Sequence, residues 1–155
     1  MERPAFKPVE FDSAYEDNRE IGFITVDFDE TLSHYAEWAR LPISKLRQLN
    51  GKKKSAPLIL RETVKIPFKK VTPEVFEERR QEFHKAVQED FFNNYRVEKL
   101  VVRNVKKGEN LWDICNKLYF IPVWLLGNYN PDRDITALSE GDSLIIPLIS
   151  SLKGA

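Results

Sequence analysis

The sequence predicts an α+β fold, two small strand–helix–helix–strand units joined by a helical connector. Three observations carry that expectation. Val26-Asp27-Phe28-Asp29-Glu30-Thr31-Leu32 lies over Val105-Lys106-Lys107-Gly108-Glu109-Asn110-Leu111, 79 positions further on. Leu41-Pro42-Ile43, Asn50, Leu58 and Val64-Lys65-Ile66-Pro67 lie over Ile121-Pro122-Val123, Asn130, Leu138 and Leu144-Ile145-Ile146-Pro147 at a spacing of 80, so the second copy holds one extra residue between its matched blocks. Within each copy the apolar pattern passes from a β-rich run to a helical period and back.

The copies read alike. Phe23 to Val26 and Leu100 to Val105 are the opening strands. A tight polar loop follows, with Gly108 available for positive φ in the second copy. Asn110 serves as N-cap before Leu111, Ile114, Cys115 and Leu118, an i, i+3, i+4, i+7 set that Leu32, Tyr35, Ala36 and Ala39 repeat. Pro42 and Pro122 open a second short helix, which Asn50-Gly51 and Asn130-Pro131 stop. Thr63 to Ile66 and Ser143 to Ile146 close the units as strands. Sheets that small must bury one face on the helix pair.

Thr72-Pro73-Glu74 caps a connector helix whose Phe76, Phe83, Val87 and Phe91 recur at about helical spacing. The expected organisation is a polar extension without regular structure at 1–20, units at 21–69 and 100–149, a connector at 70–99 and a tail at 150–155.

Composition narrows the function. A chain of 155 residues that is 42% hydrophobic supports a packed core. No apolar run reaches the ~18 residues of a membrane helix, and residues 1–6 lack the apolar stretch of a signal peptide. One cysteine excludes an internal disulfide and a cysteine-built zinc site. Twenty-four basic against twenty-four acidic residues argue against a nucleic-acid partner. Two histidines, His34 and His84, stand fifty positions apart, with no nucleophile elbow, Walker loop or H-E-x-x-H. No catalytic residue, metal ligand or cofactor is therefore assigned. Glu78 and Glu82 on the connector have the rough proximity of a hydrolase acid pair, but so do many exposed helix faces. Lys52-Lys53-Lys54 reads as a solvated loop tip, with contact to an anionic polymer as the alternative.

In the second copy, Val105-Lys106-Lys107-Gly108-Glu109-Asn110-Leu111-Trp112-Asp113-Ile114 resembles the opening of a LysM module. Leu126-Gly127-Asn128-Tyr129-Asn130-Pro131 is similar to its L-x-x-x-N-P segment, and Leu138 to Pro147 to its L-x-x-G-x-x-L-x-I-P ending. The first copy is a degenerate match, with Asp29 and Arg61 where the family has glycine. The resemblance implies βααβ domains and non-catalytic binding of N-acetylglucosamine polymers, peptidoglycan or chitin, at the periplasm or cell envelope, with the cytoplasm as the alternative. It places the glycan between Gly108, Glu109, Asn110 and Leu111 on one side and Asn130, Pro131, Asp132, Asp134 and Ile135 on the other. A weaker second site falls on Asp29, Glu30, Thr31, Leu32, Asn50 and Gly51. Loop amides can satisfy the polar atoms of an N-acetyl group while Leu111 or Ile135 shelters its methyl. The rival reading is an interaction scaffold with a protein partner and no glycan. Trp38, Trp112 and Trp124 read as partial core, Cys115 as a small buried hydrophobe, and both histidines as packing or surface residues.

Overall fold

The computed structural model describes residues 6–153. The chain is mixed helix and strand, with a three-stranded and a two-stranded antiparallel sheet. It divides into two compact units, one spanning Pro8–Ala86 and the other running on from Val87 and taking in Lys7.

In the N-terminal unit, β1 (Ser13–Tyr15) and β3 (Thr63–Pro67) flank β2 (Ile21–Thr25). The register pairs Ala14 with Phe23 and Ile24 with Val64. β2 alternates buried and half-buried residues, as a strand with one covered face must. Gly22 belongs to the buried set because a Cβ there would stand 2.6 Å from the Phe68 ring. α1 (Leu32–Ala39) and α2 (Ile43–Leu49) cover the sheet. All four residues of the expected stripe, Leu32, Tyr35, Ala36 and Ala39, are buried, with Ile24, Val64, Ile66 and Phe76 beside them. α3 (Pro73–Asn94) starts where the Thr72 hydroxyl accepts from the Val75 amide, and its residues up to Ala86 belong to this unit.

The C-terminal unit pairs β4 (Tyr95–Asn104) with β5 (Ser143–Ser151), with an irregularity between Val97 and Lys99. Between the strands, α4 (Leu111–Asp113) passes directly into a π-helical turn (Ile114–Tyr119), and α5 (Val123–Asn128) follows Pro122. Its core gathers Val97, Val105, Leu111, Ile114, Cys115, Leu125, Leu126, Ile135, Leu144 and Ile146.

The structure departs from the sequence expectation in four places. Residues 13–15, expected to lack regular structure, form β1 because the edge of β2 offers them unpaired peptide groups. The connector is helical only over Pro73–Asn94, and β4 begins at Tyr95, five residues before Leu100. β5 runs through Ile149 to Ser151, into the expected tail. The helix after Asn110 is not regular α: the Phe120 N–H reaches back five residues to Cys115 O, where its counterpart Arg40 reaches back four to Ala36 O. The extra residue expected between the matched blocks falls in that wider turn, and Leu118, expected on the core face, is 45% exposed. Phe120 and Arg40 end their helices alike, at φ 54° and 55°.

Candidate functional site

The loop after β4 is built by its own turn. Glu109 N–H donates to Lys106 O (3.1 Å), and the Lys106 N–H donates to Glu109 Oε1 (2.7 Å). That amide hydrogen bond, with Arg103 bonded to the other oxygen, holds the Glu109 carboxyl below the usual carboxylate range. Gly108 sits at φ 82° with open space where a Cβ would stand, so bare peptide faces solvent at this point. Asn110 caps the helix, accepting from Asp113 N–H (3.0 Å). Leu111 is buried.

The opposite loop starts at Asn130, whose carboxamide is engaged through both its polar atoms. Its Nδ2 donates to Leu126 O and Ile145 O, both at 2.8 Å, and its Oδ1 accepts from Ile145 N–H (2.9 Å). The side chain is thus a buckle between α5 and β5, with three of its four hydrogen-bonding positions spent on backbone. Pro131, Asp132 and Asp134 are exposed, and Asp134 Oδ1 accepts from the Thr136 N–H (3.0 Å) and hydroxyl. Ile135 is buried, its Cδ1 lying 3.5 Å from the Cβ position of Gly127. No hydrogen bond within the described chain engages the N–H groups of Lys107, Gly108, Asp132 or Ile135.

The weaker site has a different character. Asp29 occupies a left-handed position at φ 63°. Thr31 closes a capping box with His34, and Leu32 is core. Asn50 repeats the buckle, donating to Leu46 O (2.9 Å) and Lys65 O (3.0 Å) and accepting from Lys65 N–H (2.8 Å). Gly51 is exposed at φ 63°.

Glu30, expected at that site, lies in the interior. Arg80 on α3 donates to both its oxygens (2.6 and 2.7 Å), His84 Nε2 to Oε2 (2.8 Å), the Tyr35 hydroxyl to Oε1 (2.5 Å) and the Asp27 amide to Oε1 (2.9 Å). Burial alone would raise the Glu30 carboxyl, but the hydrogen bonds from Arg80 and His84 outweigh it and lower it to about 2. Phe11 covers the guanidinium at 3.7 Å. Such a carboxylate orders the fold and is out of reach of a sugar. A charged pair fifty residues apart leaves no local signal in the sequence.

Of the tryptophans, Trp38 is buried, and Trp124 packs edge-on to Phe91 (5.3 Å) and Phe92 (5.9 Å). Trp112 corrects the expectation of partial core: half exposed, it follows directly on the Gly108–Leu111 segment. Cys115 is fully buried, which pushes its thiol up to about 12. Glu78 and Glu82 are both exposed. Among the described residues, no group of three His, Cys, Asp or Glu is placed to hold a metal, and no helix is long and apolar enough to cross a membrane.

Residues 104–147 match the family model of the LysM domain. The LysM domain is a binding module rather than a catalytic one, acting on N-acetylglucosamine glycans of the cell wall, and the match covers both loops described above. Comparison with curated proteins gives no significant match. Among solved structures, the chain is similar to the Bacillus cereus spore cortex-lytic enzyme SleL at 16% identity, covering 83% of this chain and 23% of that one, with a TM-score of 0.31. The SleL enzyme of Bacillus megaterium QM B1551 gives 18% identity over 81% of this chain and 22% of that one, with a TM-score of 0.28. The chain thus spans under a quarter of the length of the solved structures it matches.

Proposed function

We propose that this chain binds N-acetylglucosamine-containing glycan without cleaving it, with peptidoglycan as the polymer, and so serves anchoring or targeting at the bacterial envelope. The LysM match over 104–147 carries the reading. The loop chemistry supports it. The amides of Lys107, Gly108, Asp132 and Ile135, which bond to no described residue, suit the polar atoms of an acetamido group, whereas the Leu111 and Ile135 side chains are buried in the unit's core. Half-exposed Trp112, beside the loop, suits stacking against a sugar ring.

Residues 21–69 are, in this reading, a second and degenerate module. Its support is a set of matching bonds: Val26 N–H to Glu62 O and Val105 N–H to Asp142 O, Arg61 N–H to Val26 O and Gly141 N–H to Val105 O, and the Asn50 and Asn130 buckles. Asp29 and Arg61 take left-handed backbone, as Gly108 and Gly141 do. With Glu30 engaged by Arg80 and a side chain standing at position 29, this module is the poorer sugar site.

Sedimentation with insoluble peptidoglycan and with chitin tests the proposal. Gly108→Asp imports the residue that the N-terminal unit accommodates in left-handed backbone at the matched position (φ 63° against 82°), so it should fold with some strain while covering the bare peptide. Wild type should pellet with peptidoglycan, and Gly108→Asp should lose about tenfold in affinity, roughly the worth of one good hydrogen-bond site. A folded wild type that pellets with neither polymer refutes the glycan reading in favour of a protein-binding scaffold.

A further inference from the structure

The balanced total charge hides a lopsided segment. Residues 45–70 hold nine basic residues and one acid, Glu62, whereas the matched residues 125–150 hold four acids and one base. The charges reverse at equivalent loop positions, Lys52 against Asp132 and Lys54 against Asp134. The Asn50 carboxamide ties the carriers together: it bonds Leu46 O, which lies between Lys45 and Arg47, and both peptide groups of Lys65, and it leads directly into Gly51 and the three lysines. Lys52 Nζ sits 2.6 Å from Glu62, which brings the loop back beside Arg61. With Glu62 so engaged, Lys45, Arg47, Lys53, Lys54, Arg61 and Lys65 form no ion pair among the described residues.

We propose that this basic face of the N-terminal unit is an anion-docking surface for the carboxylates of peptidoglycan strands. The source rests on the glycan reading above; the anionic chemistry rests on the charge alone. Chitin is neutral and offers the face no complement. Nucleic acid is disfavoured because the segment's one aromatic residue, Phe68, is buried, leaving no ring for stacking on bases. The chain so reads two features of one polymer, acetylated sugar at the C-terminal unit and negative charge at the N-terminal unit.

The experiment compares full-length wild type with Lys45→Gln/Lys53→Gln/Lys54→Gln, three exposed side chains without bonds, on four ligands. These are native peptidoglycan, peptidoglycan with its carboxylates amidated, chitin, and double-stranded DNA. The expected result is wild-type binding to native peptidoglycan that weakens about tenfold between about 20 and 500 mM salt, and a similar loss on amidation or in the triple variant. Chitin binding should be the same for both proteins. Equal binding of wild type to native and amidated peptidoglycan overturns the anion surface while leaving the glycan reading intact. Retention on native peptidoglycan that amidation abolishes, with none on chitin, supports the anion surface and sinks sugar recognition. Failure to bind native peptidoglycan at low salt, or tighter binding to DNA than to peptidoglycan, overturns the proposal.

Discussion

Asn130→Ala should loosen the C-terminal unit locally and strongly. Asn130 is 7% exposed, and its carboxamide makes three hydrogen bonds of 2.8, 2.8 and 2.9 Å to Leu126 O, Ile145 O and Ile145 N–H. Truncation strands both Ile145 groups, while Leu126 O keeps its bond from the Tyr129 N–H. Each buried orphan costs about 1–3 kcal/mol, and water reaches some of them because Ile145 is 40% exposed. A total of about 2–4 kcal/mol follows. Hydrogen exchange of the Ile145 amide reads it directly, since at 1.4 kcal/mol per decade its exchange should quicken about 30- to 700-fold. Asn130→Asp keeps the acceptor, loses both donors and sets a negative charge against two carbonyl oxygens. It should be at least as damaging at neutral pH and recover partly on acidification, when the protonated acid regains one donor. A change below about threefold in Asn130→Ala would mean the three bonds contribute nothing net, and the buckle argument fails.

Four further outcomes follow. Arg80→Met leaves Glu30 buried without its main partner and should cost about 3–5 kcal/mol in urea unfolding, whereas Glu30→Gln/Arg80→Met together should cost clearly less. Glu30 is lowered to about 2 against an ordinary 4.5, so its contribution is complete above 4.5 and fades as pH falls toward 2; an acid titration of stability should lose that dependence in the double variant. Arg61→Gly should stabilise by about 0.5–1 kcal/mol and Gly141→Ala destabilise by at least as much, because both positions hold left-handed backbone (φ 73° and 89°), as paired thermal melts would register. Cys115, buried and with its thiol raised to about 12, should react with a thiol reagent only as fast as the unit opens, which urea should accelerate steeply.

Much of the fold was legible because each element carried its own punctuation. Pro42 and Pro122 open helices, Asn110 and Thr72 cap them, and apolar spacing marked the buried stripe of α1. What escaped depended on partners distant in sequence. Three residues at 13–15 have no period of their own and become a strand only against β2. Glu30 looked like a loop residue because Arg80 and His84 lie fifty or more positions away. Asn50 and Asn130 were readable as matched positions, but a matched asparagine is equally explained by a backbone buckle or by a ligand contact. Their bonds to Lys65 and Ile145 favour the buckle. An i, i+3, i+4, i+7 set is also blind to winding, so Leu118 was assigned to a face it does not share.

The π-helical turn at Ile114–Tyr119 makes chain length and geometry separable here. The wider winding is taken up as slack inside one turn, so both ends of the segment, the Asn110 cap and the left-handed stop at Phe120, keep the same form as the Thr31 cap and the Arg40 stop of α1. Deleting Lys117 should therefore rewind the turn to ordinary pitch without disturbing the loops at 106–110 and 130–135, which makes this stretch the natural place for the unit to tolerate indels.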